Sequence, residues 1–242
     1  MNSLPLSLRT AWLAAGTVLA CGRAPESTPA SAAEQRTAAS VPAVSPARAT
    51  TPAASTDSLG RRADRGRIQG DTTARLWVVI ISDFQCPYCK QWHDSSYAAL
   101  RREYVETGRV RVAYVNLPLP MHGNAWPAAE VAMCSSLQGR FWTMHDAIFD
   151  SQERWAPLAA PASVFDSLAV RAGVDVPAMR ACVDSRVLRP LIQADYDRSV
   201  AAGVNSTPTF IVGAKVLEGA LPFPVFRQTL DSALHAASGG KR

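Results

Sequence analysis

Six consecutive apolar residues, Leu76-Trp77-Val78-Val79-Ile80-Ile81, stand four residues ahead of Cys86-Pro87-Tyr88-Cys89, and this junction restricts the available folds more than any other stretch. An apolar, β-branched run without polar alternation is the pattern of a strand buried on both faces. Pro87 suits the first turn of a helix, where its missing N–H costs nothing. The polar and aromatic stretch from Pro87 to about Thr107 reads as that helix, closed by Gly108. Val110-Arg111-Val112-Ala113-Tyr114-Val115 then alternates as a second strand. Strand–helix–strand at this spacing favours a parallel pair joined by a right-handed crossover.

From Asn124 to about Ala202 the pattern is helical, punctuated by Gly139, Pro157, Pro161, Gly173 and Pro190. Thr209 to Gly213 and Lys215 to Gly219 read as a hairpin, and Val225 to about Ala237 as a closing helix. The expected class is α/β: a β-α-β unit, an all-helical insertion over about 122–202, then β-β-α, within one domain at 67–240.

The N-terminal part is different in kind. Residues 11–20 form a short apolar run after Arg9. A spanning helix needs about 20 such residues, so the run has the length of a secretory signal core instead. It ends Val18-Leu19-Ala20-Cys21-Gly22, which resembles a bacterial lipobox, so residues 1–21 are expected to be a lipoprotein signal segment ending at a lipid-modified Cys21. The alternative is an ordinary signal peptide cut nearby. Residues 22–66 are rich in Ala, Pro, Ser and Thr, and no Phe, Trp or Tyr occurs between Trp12 and Trp77. Such a segment cannot bury enough apolar area to order itself, and it is expected to be a disordered, partly extended tether.

Residues 1–67 carry eight Arg against four acidic residues, whereas 68–240 carry 15 basic against 16 acidic. The net charge of +5 therefore belongs to the termini and gives no basic folded face for nucleic acid. Of five cysteines, lipidation of Cys21 leaves Cys86, Cys89, Cys134 and Cys182, an even set in an exported chain that meets oxidising conditions.

A cysteine at a helix N-terminus faces unpaired backbone N–H groups and the positive dipole end, which favour the reactive thiolate. Cys86 takes that place, and Cys89 lies one turn on, within reach of it. The same pair could be half of a zinc site with His93 as a third ligand, or a static disulfide; the strand–CxxC–helix setting argues against both. Pro208, in Asn205-Ser206-Thr207-Pro208-Thr209-Phe210, marks a turn entering a strand and by itself says little, since X–Pro bonds are mostly trans.

Taken together, Ser82-Asp83-Phe84-Gln85 before Cys86-Pro87-Tyr88-Cys89, then Leu117-Pro118-Leu119-Pro120 with His122, Gly139-Arg140-Phe141-Trp142 with His145-Asp146, and finally Thr207-Pro208-Thr209-Phe210 resemble the DsbA-type thiol-disulfide oxidoreductases of the thioredoxin superfamily. The likeness covers roughly 67–238 and implies a thioredoxin-like fold. It implies that Cys86 attacks and Cys89 resolves, with Pro87 and Tyr88 tuning the pair. It also implies that Pro208 is a cis-proline facing the thiols and that Thr207 offers backbone groups to an extended client. No organic cofactor or metal is implied. The implied partners are cysteine-containing exported proteins and a membrane redox partner, in the periplasm or cell envelope. Oxidase and reductase or isomerase directions stay open.

The chain departs from many relatives at Ile80, where they carry an acid, so proton handling is expected to fall to Asp83, Lys90 or water. Some relatives hold a cysteine pair near Cys134 and Cys182. A structural disulfide is expected here, worth about 4 kcal/mol in the chain-entropy model, with buried thiols or a second relay as alternatives. His93, His122 and His145 are expected to pack rather than catalyse, and Trp126, Phe141, Trp142 and Phe149 to fill the core. Two rival functions remain: a metal-delivery module using Cys86, Cys89 and His93, and a client-binding adaptor without turnover.

Overall fold

The computed structural model describes residues 53–239; Cys21, the signal segment and residues 22–52 of the expected tether lie outside them. A five-stranded sheet has the order β1-β3-β2-β4-β5. The apolar run forms β2 (Leu76–Ser82) at its centre. It pairs in parallel with β3 (Val110–Asn116), from Leu76 opposite Val110 to Ser82 opposite Asn116. The hairpin β4 (Thr209–Val212) and β5 (Lys215–Glu218) adds to the other side of β2, with Ile81 opposite Thr209. Gly213 takes φ +58 in its turn, a left-handed conformation that glycine enters without steric cost. A two-residue edge strand, β1 (Ile68–Gln69), pairs antiparallel with β3 and was not anticipated.

β2 is not buried evenly on both faces. Trp77 is 37% exposed, and the Arg111 guanidinium lies 4.3 Å from its ring centre, covering apolar surface that no other layer reaches.

The crossover is one helical rod, 87–105. It consists of α2 (Pro87–Trp92), a π-helical turn (His93–Tyr97), α3 (Ala98–Leu100) and a second π-helical turn (Arg101–Val105). Its aromatic residues join the two halves of the molecule. Trp92 packs on Phe210 at 4.5 Å and on Phe226 at 5.6 Å, within α10 (Phe223–Ala237). Tyr97 packs on Trp142 at 6.0 Å and His145 at 5.1 Å, both in the insertion.

That insertion comprises α4 (Ala125–Ser136), α5 (Phe141–Asp150), α6 (Gln152–Trp155), α7 (Ala162–Arg171), α8 (Val176–Ser185) and α9 (Arg189–Ala201). α8 starts on an Asp175 cap, whose carboxylate accepts from the Ala178 N–H at 3.0 Å. Cys134 and Cys182, 48 positions apart, are bonded and tie α4 to α8.

The expected tether ends sooner than residue 66. Ala53–Gly66 forms α1, which packs on α4. Ala63 is fully buried, and a Cβ on Gly66 would come within 2.7 Å of the Ser136 carbonyl oxygen. Arg67, the first residue after the expected tether, is buried and pairs with Asp64 and Asp195. Asp195 also accepts from the Asn116 backbone and side-chain N–H groups at 3.1 and 3.2 Å. No apolar periodicity announces α1, because a single alanine, a glycine and a distant carboxylate hold its end in place.

Candidate active site

β2 ends in a loop whose shape is fixed by Asp83. The Asp83 carbonyl accepts from the Cys86 N–H at 3.1 Å, and its carboxylate from the Gln85 N–H at 2.7 Å. The second carboxylate oxygen reaches the segment after β3, where the Leu119 N–H donates at 2.8 Å and His122 Nδ1 lies 2.7 Å away. One buried acid thus links the two short motifs, Ser82-Asp83-Phe84-Gln85 and Leu117-Pro118-Leu119-Pro120-Met121-His122.

Cys86 is the N-cap of α2, with φ −68 and ψ 124, and Pro87 follows in the first turn. Its Sγ lies 3.4 Å from the Thr207 carbonyl oxygen, a contact spanning 121 positions of sequence. The Thr207–Pro208 bond is cis. The Pro208 carbonyl is held by the Gly219 N–H at 2.8 Å.

The two thiols are tuned in opposite directions. The Cys86 thiol is lowered to about 6, chiefly because the Cys89 thiol donates to it, and the Cys89 and Tyr88 backbone N–H groups also favour the thiolate. Thr207 acts in the same sense, and its hydroxyl is buried with no hydrogen-bond partner among the described residues. Burial holds Cys89 well above the ordinary thiol range, and the neighbouring Cys86 adds to this. Tyr88, between them, is 62% exposed and stands out toward solvent.

The candidate proton carriers are already engaged. Lys90 pairs with Asp94 at 2.8 Å, and Asp83 holds His122. The His122 imidazole is raised by that carboxylate, with a further contribution from Cys86. Ile80 is buried, and opposite it on β3 sits Tyr114, whose phenol is buried without a hydrogen-bond partner among the described residues.

His93 does not join the thiols. Its ring nitrogens face Asp94 at 3.2 Å and Asp146 at 3.4 Å, and its ring stacks on Phe149 at 5.1 Å. His145 packs among Phe84, Phe141 and Trp142, as expected of a core histidine. Phe141 and Phe149 are core residues, whereas Trp142 and Trp126 are only partly buried against it. Trp126 lies under the Arg189 guanidinium at 4.5 Å.

Sequence reasoning gave no role to Gln85, Asn124 or Gln152. The Gln152 amide donates to the carbonyls of Phe84 at 2.7 Å and Cys86 at 3.0 Å. Gln85 donates to the Ala156 carbonyl at 3.0 Å and accepts from the Asn124 N–H at 2.6 Å. These polar clasps carry no periodic signal, since each depends on where the insertion closes over the loop.

A family profile described as Thioredoxin matches residues 62–232. The chain is 32% identical over 182 residues to the Na(+)/H(+) antiporter NhaA 3 of Salinispora tropica, covering 74% of this chain and 26% of that protein. This chain therefore spans about a quarter of that relative's length, and among the described residues no helix is long and apolar enough to cross a membrane. It is 25% identical over 170 residues to the probable disulfide bond formation protein D of Bacillus anthracis, covering 68% of this chain and 76% of the relative. The solved structure of alpha-DsbA1 from Wolbachia pipientis superposes with a TM-score of 0.64 at 18% identity, covering 71% of this chain and 92% of that one. With a thioredoxin-like sheet interrupted by six helices and a matching profile over most of its length, the chain belongs to the thioredoxin family.

Proposed function

We propose that the protein is a protein-disulfide oxidoreductase, exchanging disulfides with cysteine-containing exported proteins through Cys86, with Cys89 as the resolving thiol. The observation that carries this reading is the opposite tuning of two adjacent sulfurs, Cys86 lowered to about 6 beside the Thr207–Pro208 bend and Cys89 buried and protonated. A thiol of that acidity is about 90% thiolate at pH 7.

In the oxidised protein, a client thiolate attacks Cys86 Sγ. The Cys86–Cys89 bond breaks, and Cys89 leaves as a thiolate and takes up a proton. A second client thiolate then attacks the client sulfur of the mixed disulfide and expels Cys86 as a thiolate. The client loses two electrons and the Cys86–Cys89 pair gains them; reduction of a client runs the same steps backwards. A stabilised Cys86 thiolate leaves readily and makes the pair more oxidising, which favours donation of the disulfide. The Thr207–Pro208 bend beside Cys86 supports strand-like pairing of its backbone with an extended client, giving affinity without side-chain specificity. The N-terminal pattern supports export, with a lipid on Cys21 and a spacer holding the domain at an envelope membrane, where a membrane redox partner would recharge it.

The test is a Cys89→Ala variant expressed in an exporting cell. Mixed disulfides on Cys86 that dissolve on reduction are expected, together with reduction of insulin by the parent protein. Absence of both overturns the reading. A Cys86→Ser variant that retains full cellular function would instead favour the adaptor.

A further inference from the structure

We propose that His93, His145 and Asp146 form a binding site for a divalent first-row metal of the zinc class, separate from the thiols. One ligand atom from each of the three lies within 4.8 Å of the other two. Both imidazoles aim a ring nitrogen at the same oxygen, Asp146 Oδ1, from 3.4 Å for His93 Nε2 and 2.8 Å for His145 Nδ1. Zinc bound tetrahedrally at about 2.0–2.1 Å separates its nitrogen and oxygen ligands by about 3.3 Å, so of the two edges to Asp146 one is already at the right length and the other opens by about half an ångström, while the edge between the two imidazoles lies within 4.8 Å. Three protein ligands leave a fourth position for water.

The surroundings are built to orient these ligands. His93 Nδ1 faces Asp94 Oδ1 at 3.2 Å and Asp150 at 4.0 Å, so a proton held there leaves the Nε2 lone pair directed at Asp146. A carboxylate on the far nitrogen of a ligating histidine is the usual second layer of such sites. The Arg101 guanidinium, shared with Glu106, lies 3.5 Å from Asp146 Oδ2 and leaves Oδ1 turned inward. Phe149 stacks on His93, and Phe84, Phe141 and Trp142 surround His145, fixing both rings. Asp94, Asp146 and Asp150 outnumber the adjacent Lys90 and Arg101 cations, so a divalent ion meets a favourable field. Asp94 and Asp150 are exposed and line the approach. His93 lies on the rod that begins at the thiols and His145 on α5, so the metal would clasp the rod to the insertion.

The protein is titrated with Zn²⁺ and Co²⁺ with Cys86 and Cys89 kept as a disulfide, so that no thiolate can ligate. One equivalent should bind, with cobalt visible bands of four-coordination and no thiolate charge-transfer band. Asp146→Asn and His93→Gln should each raise the dissociation constant at least tenfold while the far-ultraviolet spectrum stays that of the parent. Absence of stoichiometric binding overturns the proposal, as does binding that both variants leave unchanged. Because the thiols are blocked throughout, this result is independent of disulfide exchange.

Discussion

The described domain contains two cysteine pairs made of the same atoms and set to opposite ends. Cys134 and Cys182 are bonded and join two helices of the insertion across 48 positions, while Cys86 and Cys89 are free thiols within one turn of α2. A bond across a long loop removes many unfolded conformations, so its effect falls on stability. A bond across two residues removes few, so it can open and close without cost to the rest of the fold. What separates the pairs further is the electrical environment. Cys86 receives a hydrogen bond from Cys89 and faces backbone N–H groups, whereas Cys134 is enclosed in the apolar core.

Replacing Cys86 with Ser should reduce insulin reduction to the uncatalysed background while thermal unfolding shifts little; substantial residual exchange would mean that the second pair shares the chemistry. Cys134→Ala should do the reverse, costing about 2–5 kcal/mol in denaturant unfolding with exchange retained in the folded fraction. Titrating the reduced protein by thiolate absorbance should give a midpoint near about 6 for Cys86, against the usual thiol value near 9. The sign follows from that depression. The ionised Cys86 adds its full stability to the reduced form above the unfolded value, loses it progressively as pH falls, and adds nothing below the folded midpoint. The reduced form should therefore lose stability relative to the oxidised form as pH falls through that window. The smallest effect is expected at Tyr114→Phe. Its phenol is buried near Ser82 with no hydrogen bond of good geometry among the described residues, so removing the oxygen should leave stability unchanged or raise it by up to about 1–3 kcal/mol, read by thermal unfolding. A marked loss would reveal a partner for that hydroxyl.

Much of the scaffold could be read along the chain. The apolar run at 76–81, the proline after Cys86 and the alternation at 110–115 gave strand, helix and strand, since each depends on near neighbours. The insertion was legible as helical but not as the set of clasps through Gln85, Asn124 and Gln152. α1 was missed for a related reason. Its anchors are Ala63, Gly66 and the ion pair of Arg67 with Asp195, which lies on α9. Trp77 misled in the other direction, as a large apolar residue covered by an arginine rather than by a second layer.

By itself the sequence determined that a thiol stands at a helix N-terminus, where the field arises from the first few peptide groups and needs no distant partner. Only the tertiary structure decided how far that thiol is tuned and what faces it. The burial of Cys89, the Thr207 carbonyl at Cys86, the pairing of Cys134 with Cys182 and the carboxylates around His93 all join residues far apart in the chain. Local pattern sets which groups can ionise or bond. Exclusion of water and the approach of remote partners, which exist only after the sheet and insertion close, decide which of them do.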